Sequence, residues 1–540
     1  MTKHFDSITK KSVTDADIAQ LVARLDEVER TQAKLQAERD QYRTLFHQMR
    51  ERCRKLEMGL RNHPAERLPD GEQLSLGVLA VALGAPQDSD VLALAELDEI
   101  EQVREHTRRK PTGRGVIPEH LPRVDIEILP DEVKHAGLDA FERIGQEVTE
   151  VLERRPASLV VARVIKPKFV RKDRVRGDHT EVLVGQTPEL PIPRGLAGPG
   201  MLADTIVKRW QDHCPLHRLE GIYARDGVEL ARSTVCGWHA ALAPLFEPLI
   251  SAMRQDGFDA PYMCVDATGV LVQAKEKCRV GHFWVIVVPG RHVLFEYSQK
   301  HNNAAVDELL SGYQGYLVLD AHVVYDHLFG GGDVVEVNCW AHCRRYFFKA
   351  LGSDPERAKF ALSHIGALFK IERSIATAPR KKRERIREKN AKPIVERFYS
   401  WCDAEWPKLL EDTPIYDGVR YARNQRVGLH RFLEDGRLPI HNNMSELELR
   451  RQAVGRKNWL FVGSDDGARV NATFTSLLAS CQMHRVEPWS YLRDVLCLLP
   501  NWTAHRVLEL APLHWSATRE TDDVRQRLAG DPYRALTLLG

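Results

Sequence analysis

The sequence predicts an α/β protein with a mixed sheet at its centre. A coiled-coil helix and a small helical domain precede the sheet, and a helical insertion interrupts it. Three observations carry this. Apolar residues recur at every seventh position near the N-terminus. Short apolar runs bounded by turn residues crowd into 261–339. A polar, largely helical stretch then leads to a last segment, 441–478, that begins dense in acids and bases and ends apolar.

A chain of 540 residues suggests several domains, roughly two to four. Hydrophobic residues make up 43%, enough for true cores. The net charge is +2 and the pI about 8.0, so any nucleic-acid contact must come from local clusters. The 10 cysteines form no CxxC pair; they are too sparse for a disulfide scaffold and suit a reducing compartment. The opening MTKHFDSITKKSVTDADIAQ has no signal-peptide core. No apolar run reaches the roughly 18 residues a membrane span needs, so a cytoplasmic protein is the default expectation.

Residues 1–62 are expected to be a coiled-coil helix. Leu21, Val28, Leu35, Tyr42, Met49 and Leu56 form one seam, whereas Arg24, Thr31, Glu38, Leu45 and Arg52 make a poor second one. Self-association and packing against the same chain both remain open. A linker follows at 63–120, with an acidic patch (ELDEIEQ) and a basic one (RRKPTGRG). Residues 121–189 alternate as strands do, most clearly in LPRVDIEIL and SLVVARVIKPKFVRKDRVRGD. The second run carries Arg163, Lys166, Lys168, Arg171, Lys172, Arg174 and Arg176. It reads either as part of a phosphate-facing strand pair or as a solvated edge strand.

LPIPRGLAGPG opens a helical domain at 190–255. One helix ends near Cys214–Pro215, a second spans 216–225, and after RDGVEL a third is expected to open at Ser233–Thr234 and run through Trp238. That is the grammar of a helix-turn-helix, with Lys208, Arg232, Ser233 and Thr234 as candidate DNA contacts. A small helical packing domain explains the pattern equally well.

The core should occupy 256–351 and 431–500, with the helical insertion at 352–430 and a C-terminal tail at 501–540. PYMCVDATGV, GHFWVIVVPG and RHVLFEYS read as three strands, the last two joined at Pro289–Gly290. NNAAVDELLSG reads as a helix, GYLVLDAHVVYDHL as a fourth strand, and DVVEVNCWAHCRRYFFKAL as a strand running into a helix. A mixed sheet in that order is ribonuclease H-like and sets its first and fourth strands side by side. Asp266 lies in the first and Asp320 at the end of the fourth. Paired carboxylates repel unless divalent cations hold them, and hard oxygen ligands suit two Mg²⁺ (or Mn²⁺) ions. Such ions activate water or a 3′-hydroxyl for phosphoryl transfer. Glu446 and Glu448 are candidates for a third carboxylate. With 75 acidic residues in the chain, plain strand-end aspartates are the competing explanation.

The stretch PRKKRERIREKNAKP (379–393), with Lys381, Lys382 and Arg383, is a DNA-backbone candidate or a solvated helical hairpin. Arg344 and Arg345 face either phosphate or neighbouring acids. Cys339, His342 and Cys343 fit core packing better than an incomplete metal site. Arg450, Arg456 and Lys457 are candidates for guiding phosphate, and Glu446 and Arg450 stand four apart on one helical face.

VDATGVLVQ (265–273), GYLVLDAHVVYDHLF (315–329), VNCWAHCRRYFFKA (337–350), PIHNNMSELELRRQAVGRKNWLFVGSDDGA (439–468) and EPWSYLRDVLCLLP (487–500) resemble, in that order, blocks of the IS66-family transposases, part of the DDE transposase group. The likeness covers most of the chain. It implies that Asp266, Asp320 and Glu446, rather than Glu448, are the metal-binding catalytic triad. It implies cutting at transposon ends and joining of 3′-hydroxyls to target DNA, without a covalent protein–DNA intermediate. The implied partners are the double-stranded terminal repeats, target DNA, a second copy or more of this chain, and accessory proteins of the same element; no membrane is implied. Two other readings stand beside it: a DNA-binding regulator with a decayed catalytic core, and a ribonuclease H-like endonuclease without strand transfer.

This chain departs from the family pattern in several places. Asp266 is followed by Ala267-Thr268-Gly269 where the family usually has Glu-Thr-Pro. His441 stands where the family has Asp, and His322 where it has an aromatic residue. Many members carry a cysteine-rich zinc module, but DEVKHAGLDAF (131–141) and VRKDRVRGDHT (170–180) contain no cysteine, so no structural zinc is expected.

Overall fold

A computed structural model describes residues 117–155, 158–172, 182–275 and 277–538, together with Arg30, Gln32, Gln36 and Arg39. Those four are helical; the rest of the expected coiled coil and most of the 63–120 linker lie outside the described residues. The chain divides into two compact units. Among the described residues, one comprises Trp340–Ile440 and the other 117–339 with 441–538. Among the described residues no helix is long and apolar enough to cross a membrane.

The second unit opens with a small sheet of β1 (Arg123–Glu127), β2 (Phe141–Arg155), β3 (Ser158–Arg171) and β4 (Leu183–Val184). β3 is central rather than an edge strand: β1 runs parallel on one side and β2 antiparallel on the other. The correction has a physical basis, because its basic residues meet acids on the neighbouring strands. Arg163 reaches Asp125 at 3.3 Å, and Lys166 and Lys168 share Glu147 at 3.0 and 2.9 Å. Apolar packing holds one face: Val151, Ala162 and Val164 are buried against Tyr533 and Leu536 of a C-terminal helix, Pro532–Leu538.

The helical segment contains α1 (Pro199–Ile206), α2 (Leu216–Arg225) and α3 (Arg232–Phe258). α2 has the expected bounds. α3 starts before Ser233, without a side-chain cap, and continues twenty residues past Trp238. Pro244 and Pro248 lie inside it; burial of Trp238, Leu242, Phe246, Leu249 and Met253 outweighs the hydrogen bonds they remove. Glu153 of β2 lies at the start of α1. Its Oε1 accepts from the backbone N–H of Arg154 and of Met201, both at 2.7 Å, while Oε2 is buried with no hydrogen-bond partner among the described residues.

The larger sheet has β5 (Tyr262–Val272), β6 (Arg279–Val288), β7 (His292–Ser298), β8 (Gly315–Leu319) and β9 (Val334–Asn338), in the order β7-β6-β5-β8-β9. β5, β6 and β7 are antiparallel neighbours, and β8 and β9 join in parallel. The first and fourth strands are therefore adjacent, as the sequence predicts. A helix α4 (Asn303–Leu310) connects β7 to β8. Gly315 opens β8 at φ +142°, where an added Cβ would fall 2.7 Å from the Tyr313 hydroxyl and 3.0 Å from the Pro261 carbonyl oxygen.

The other unit is helical between 340 and 440: α5 (Trp340–Ala350), α6 (Pro355–Ser374), α7 (Arg380–Ile386), α8 (Lys392–Glu405) and α9 (Pro414–Asn424) are its main helices. Its ends close on themselves, the Trp340 N–H donating to the Ile440 carbonyl at 3.0 Å. In the sheet-bearing unit, the Asn442 N–H likewise meets Cys339 Sγ at 3.2 Å. Arg387, from the basic stretch, is fully buried. It makes a two-pronged contact with Glu372 at 2.8 and 2.7 Å and donates to the carbonyls of Phe432, Asp435 and Leu438.

The chain then returns to the larger sheet through α10 (Asn443–Trp459), α11 (Asp465–Met483) and α12 (Pro488–Leu498). Ser480 and Ser476 of α11 accept from the N–H groups of Val293 and Phe295, at 3.0 and 2.7 Å, satisfying the open edge of β7. Residues 504–538 are also folded, burying Leu510, Trp515, Val524 and Leu528 in the main core.

Two stability outcomes follow. Glu372→Ala strands a buried guanidinium and should cost about 3–5 kcal/mol in urea unfolding of the full chain; a loss below about 1 kcal/mol contradicts this role. Burial raises the Glu153 carboxyl to about 8, against an ordinary 4.5. Because the folded value is the higher one, its contribution is present below 4.5 and lost as pH rises toward 8. Glu153→Gln should therefore gain stability relative to wild type between pH 5 and pH 8; a constant difference at both pH values contradicts this.

Candidate active site

β5 places Val265 in the core and leaves Asp266 half-buried. Asp266 Oδ1 accepts from the Ala267 N–H at 2.8 Å. On β8, apolar residues fill the strand to Leu319, and Asp320 follows at its end with Oδ1 accepting from the His322 N–H at 3.2 Å. The last β5–β8 register pair is Cys264 with Val318; two further residues along each strand lead to Asp266 and Asp320. Neighbouring strands run about 4.8 Å apart. Ala321 then adopts φ +64°, a left-handed conformation costly for a residue with a Cβ, so the chain turns sharply beside Asp320. Both carboxylates act on one buried phenol: Tyr325 is pushed well above its ordinary pKa, first by burial, then by Asp320 and Asp266.

Glu446 occupies the first turn of α10, where a negative charge is favoured by the helix dipole. The start of this helix is fixed to β5. Asn442, fully buried, donates from Nδ2 to the Val265 carbonyl at 3.0 Å, next to Asp266. Ser445 Oγ donates back to the Asn442 carbonyl at 2.9 Å. Further along, Arg456 Nη1 donates to Thr268 Oγ1 at 3.2 Å and to the Gly269 carbonyl. Beyond the helix, Val462 pairs with the end of β5, its N–H meeting the Leu271 carbonyl at 2.8 Å. Glu448 is held by Arg451 at 2.6 Å. Among the described residues, no three His, Cys, Asp or Glu side chains are gathered closely enough to hold a metal ion. The three predicted acids thus stand on adjoining elements rather than in a closed ligand set.

Histidine and aromatic rings flank the Asp320 side. His301 stacks on Trp284 with centroids 4.8 Å apart and on His282 at 5.1 Å, and meets His322 edge-on at 4.7 Å. Burial, with His322 and His282 alongside, lowers His301 to about 4 even though Asp320 acts the other way, so its ring is neutral at pH 7. His322 thereby fills an aromatic role. His441 serves as an acceptor, its Nδ1 taking the Asn443 N–H at 3.4 Å. Thr268 and Gly269 anchor Arg456. Sequence reasoning missed Tyr325, Trp284 and His301; the spacing Asp320…Tyr325 was the available signal for the first.

The basic candidates divide. Arg232, Ser233 and Thr234 are exposed on the first turn of α3, Lys381 and Lys382 on α7, and Arg450 and Lys457 along α10. Lys208 is held by Asp204 at 2.8 Å over the Tyr223 ring, and Arg383 by Glu372 at 3.4 Å. Arg344 is half-buried over Phe348, and burial lowers its pKa; Arg345 is half-buried too. Cys339 and Cys343 are buried thiols, Cys343 beside the buried Trp340 and Phe347 of α5.

The site is thus a mixed sheet with two neighbouring aspartates and an acid-bearing helix pinned to the strand that carries the first of them. The Transposase IS66 family profile matches residues 194–470, just over half of the chain. The IS66 C-terminal element matches 476–513, and the profile described as Transposase C of IS166 homeodomain matches 65–126. The chain belongs to the IS66 transposase family. Among similar proteins of Sinorhizobium fredii (strain NBRC 101917 / NGR234), the uncharacterized protein y4hP is 27% identical over 491 residues, 86% of this chain and 87% of that protein. The uncharacterized protein y4qI is also 27% identical, over 84% of this chain and 86% of its own length.

Asn442→Ala should leave the buried Val265 carbonyl without its donor and cost about 1–3 kcal/mol of unfolding free energy. Urea denaturation at neutral pH measures it; an unchanged midpoint would remove this anchor from the account.

Proposed function

We propose that the chain is a DNA transposase that cuts the ends of an insertion sequence and joins the freed 3′-hydroxyls to target DNA. Its sheet is read as a ribonuclease H-like core, with Asp266, Asp320 and Glu446 as the catalytic carboxylates. The observation that supports this most is the Asn442–Val265 hydrogen bond. It sets the helix bearing Glu446 against the strand bearing Asp266, which lies beside the strand ending at Asp320.

Three carboxylates are the hard oxygen donors that Mg²⁺ or Mn²⁺ takes, and they would hold two such ions. When bound, the ions supply activation of water or a 3′-hydroxyl and stabilise the departing oxygen. The chain's own part is positioning. β5 and β8 fix two acids on a rigid sheet, and α10, pinned to β5 through Asn442 and Arg456, presents the third. Exposed Arg450 and Lys457 guide phosphate, while Arg456 keeps α10 in register with β5. Double-stranded terminal repeats and target DNA are the substrates. A dimer or larger assembly pairs the two ends in the cytoplasm, with accessory proteins of the same element as further partners.

A regulator with a decayed core is the second reading. It is favoured by the Ala267-Thr268-Gly269 departure after Asp266. The discriminating experiment incubates the full chain with Mg²⁺ and the terminal duplex of its own element. Cleaved and joined products are expected. Asp266→Asn, Asp320→Asn and Glu446→Gln should each lower both by about a hundred- to a thousandfold while duplex binding survives. Cleavage without joining indicates an endonuclease, and binding without cleavage a regulator. Full activity in the variants removes the residue assignment.

A further inference from the structure

Away from the carboxylates, residues Val207–Gln211 form a single π-helical turn, with the Asp212 N–H reaching the Val207 carbonyl at 3.1 Å. Such turns widen a helix and recur at functional sites. Here three successive residues hold buried polar atoms without hydrogen-bond partners among the described residues: Arg209 Nε and Nη1, Trp210 Nε1 and Gln211 Oε1. The guanidinium lies 4.5 Å from the Trp210 ring centroid and 5.6 Å from that of Trp459, on the last turn of α10. The approach is close enough that Gly455 has no room for a side chain. An added Cβ there would fall 2.7 Å from Trp459 Nε1 and 3.3 Å from His213 Nδ1.

The charge around Arg209 is unbalanced. It makes no ion pair with any described residue, and the groups acting on it are the thiols of Cys236 and Cys214. Burial lowers it only to about 10, so it is a cation at neutral pH. Two aromatic faces compensate in part, but a covered cation with no anion is costly. Unlike Nε and Nη1, Nη2 is not buried and has no hydrogen bond to a described residue, so it is the edge of the fork that meets solvent. Cys236, one of the groups acting on the guanidinium, sits in the exposed opening turns of α3 that also carry Arg232, Ser233 and Thr234.

We propose that Arg209, with the Trp210 indole N–H beside it, is a docking site for one backbone phosphate of double-stranded DNA. The donors require an acceptor-only, negatively charged group, which a phosphodiester is. The fork rolls off Trp459 to meet it. This rests on the DNA reading of the chain and adds a geometric element. α10 carries Glu446 at one end and Trp459 at the other, about 20 Å apart at the helical rise. A phosphate held at Arg209 therefore registers the duplex against the helix that presents the third carboxylate.

The test titrates the full chain with a labelled double-stranded oligonucleotide of arbitrary sequence over a range of KCl concentrations. Arg209→Gln should weaken binding about tenfold, a phosphate contact's worth, and reduce the slope of log affinity against log salt by about 0.9. Its thermal midpoint should hold or rise, because an unpaired buried charge is removed. Arg209→Lys should keep the slope but lose affinity, and Trp210→Phe should weaken binding severalfold at unchanged slope. Unchanged affinity and slope in Arg209→Gln overturns the site. So does a fall in affinity that only tracks a fall in thermal midpoint across the variants. Neither readout depends on cleavage. Arg209-dependent binding by a chain that cuts no DNA preserves the site and removes the transposase reading; cutting with Arg209-independent binding does the reverse. A wild-type chain that binds no duplex overturns both.

Discussion

One buried amide governs the arrangement of the candidate site. Asn442 donates to the carbonyl of Val265 from a position with no access to water, so neither group has an alternative partner in solvent. That bond fixes where α10 begins relative to β5, and Glu446 follows within one turn. Arg456 and Val462 fix the later part of the same segment to the same strand. A helix tied at several points along one strand cannot slide by a turn without breaking all of them. On its other side, Gln452 and Asn471 exchange amide hydrogen bonds at 2.9 and 3.0 Å, locking α10 to α11. α11 in turn satisfies the edge of β7 through Ser476 and Ser480. Polar groups in the core thus specify register, while apolar burial supplies the bulk of the stability.

The departures from the family pattern become intelligible at this level. A histidine at 441 accepts from an N–H two residues on, much as an aspartate does. A histidine at 322 presents a flat ring to His301. Ala267 contributes only its backbone N–H to Asp266, and the residues after it serve Arg456. Each of these residues makes a local contact of its own. The small sheet is held in a similar way, by Tyr533 and Leu536 buried against Val151, Ala162 and Val164 of β2 and β3.

The larger sheet was legible because its strands are short apolar runs separated by turn residues. Asp266 and Asp320 stood out as polar breaks in those runs. The full length of α3 was not legible, since Pro244 and Pro248 are local helix breakers and only tertiary burial of the face through Phe246 and Met253 overrides them. The central place of β3 was hidden because its many basic residues look solvent-bound until Glu147 and Asp125 are placed opposite them. Choosing Glu446 over Glu448 needed the family likeness, since spacing alone offers both; the Glu448–Arg451 pair at 2.6 Å is a contact that spacing alone could not reveal. The histidine stack and the Arg209 pocket unite residues far apart in sequence, and no periodicity announces such meetings.

The detour of the chain through residues 340–440 leaves and returns at a single clasp, with Trp340 bonded to Ile440 and Cys339 to Asn442. To the sheet, about a hundred residues therefore amount to a short turn. Loop-closure cost rises only slowly with length once the ends are held together. A change in the length of this segment should therefore cost the sheet little as long as its two ends stay joined.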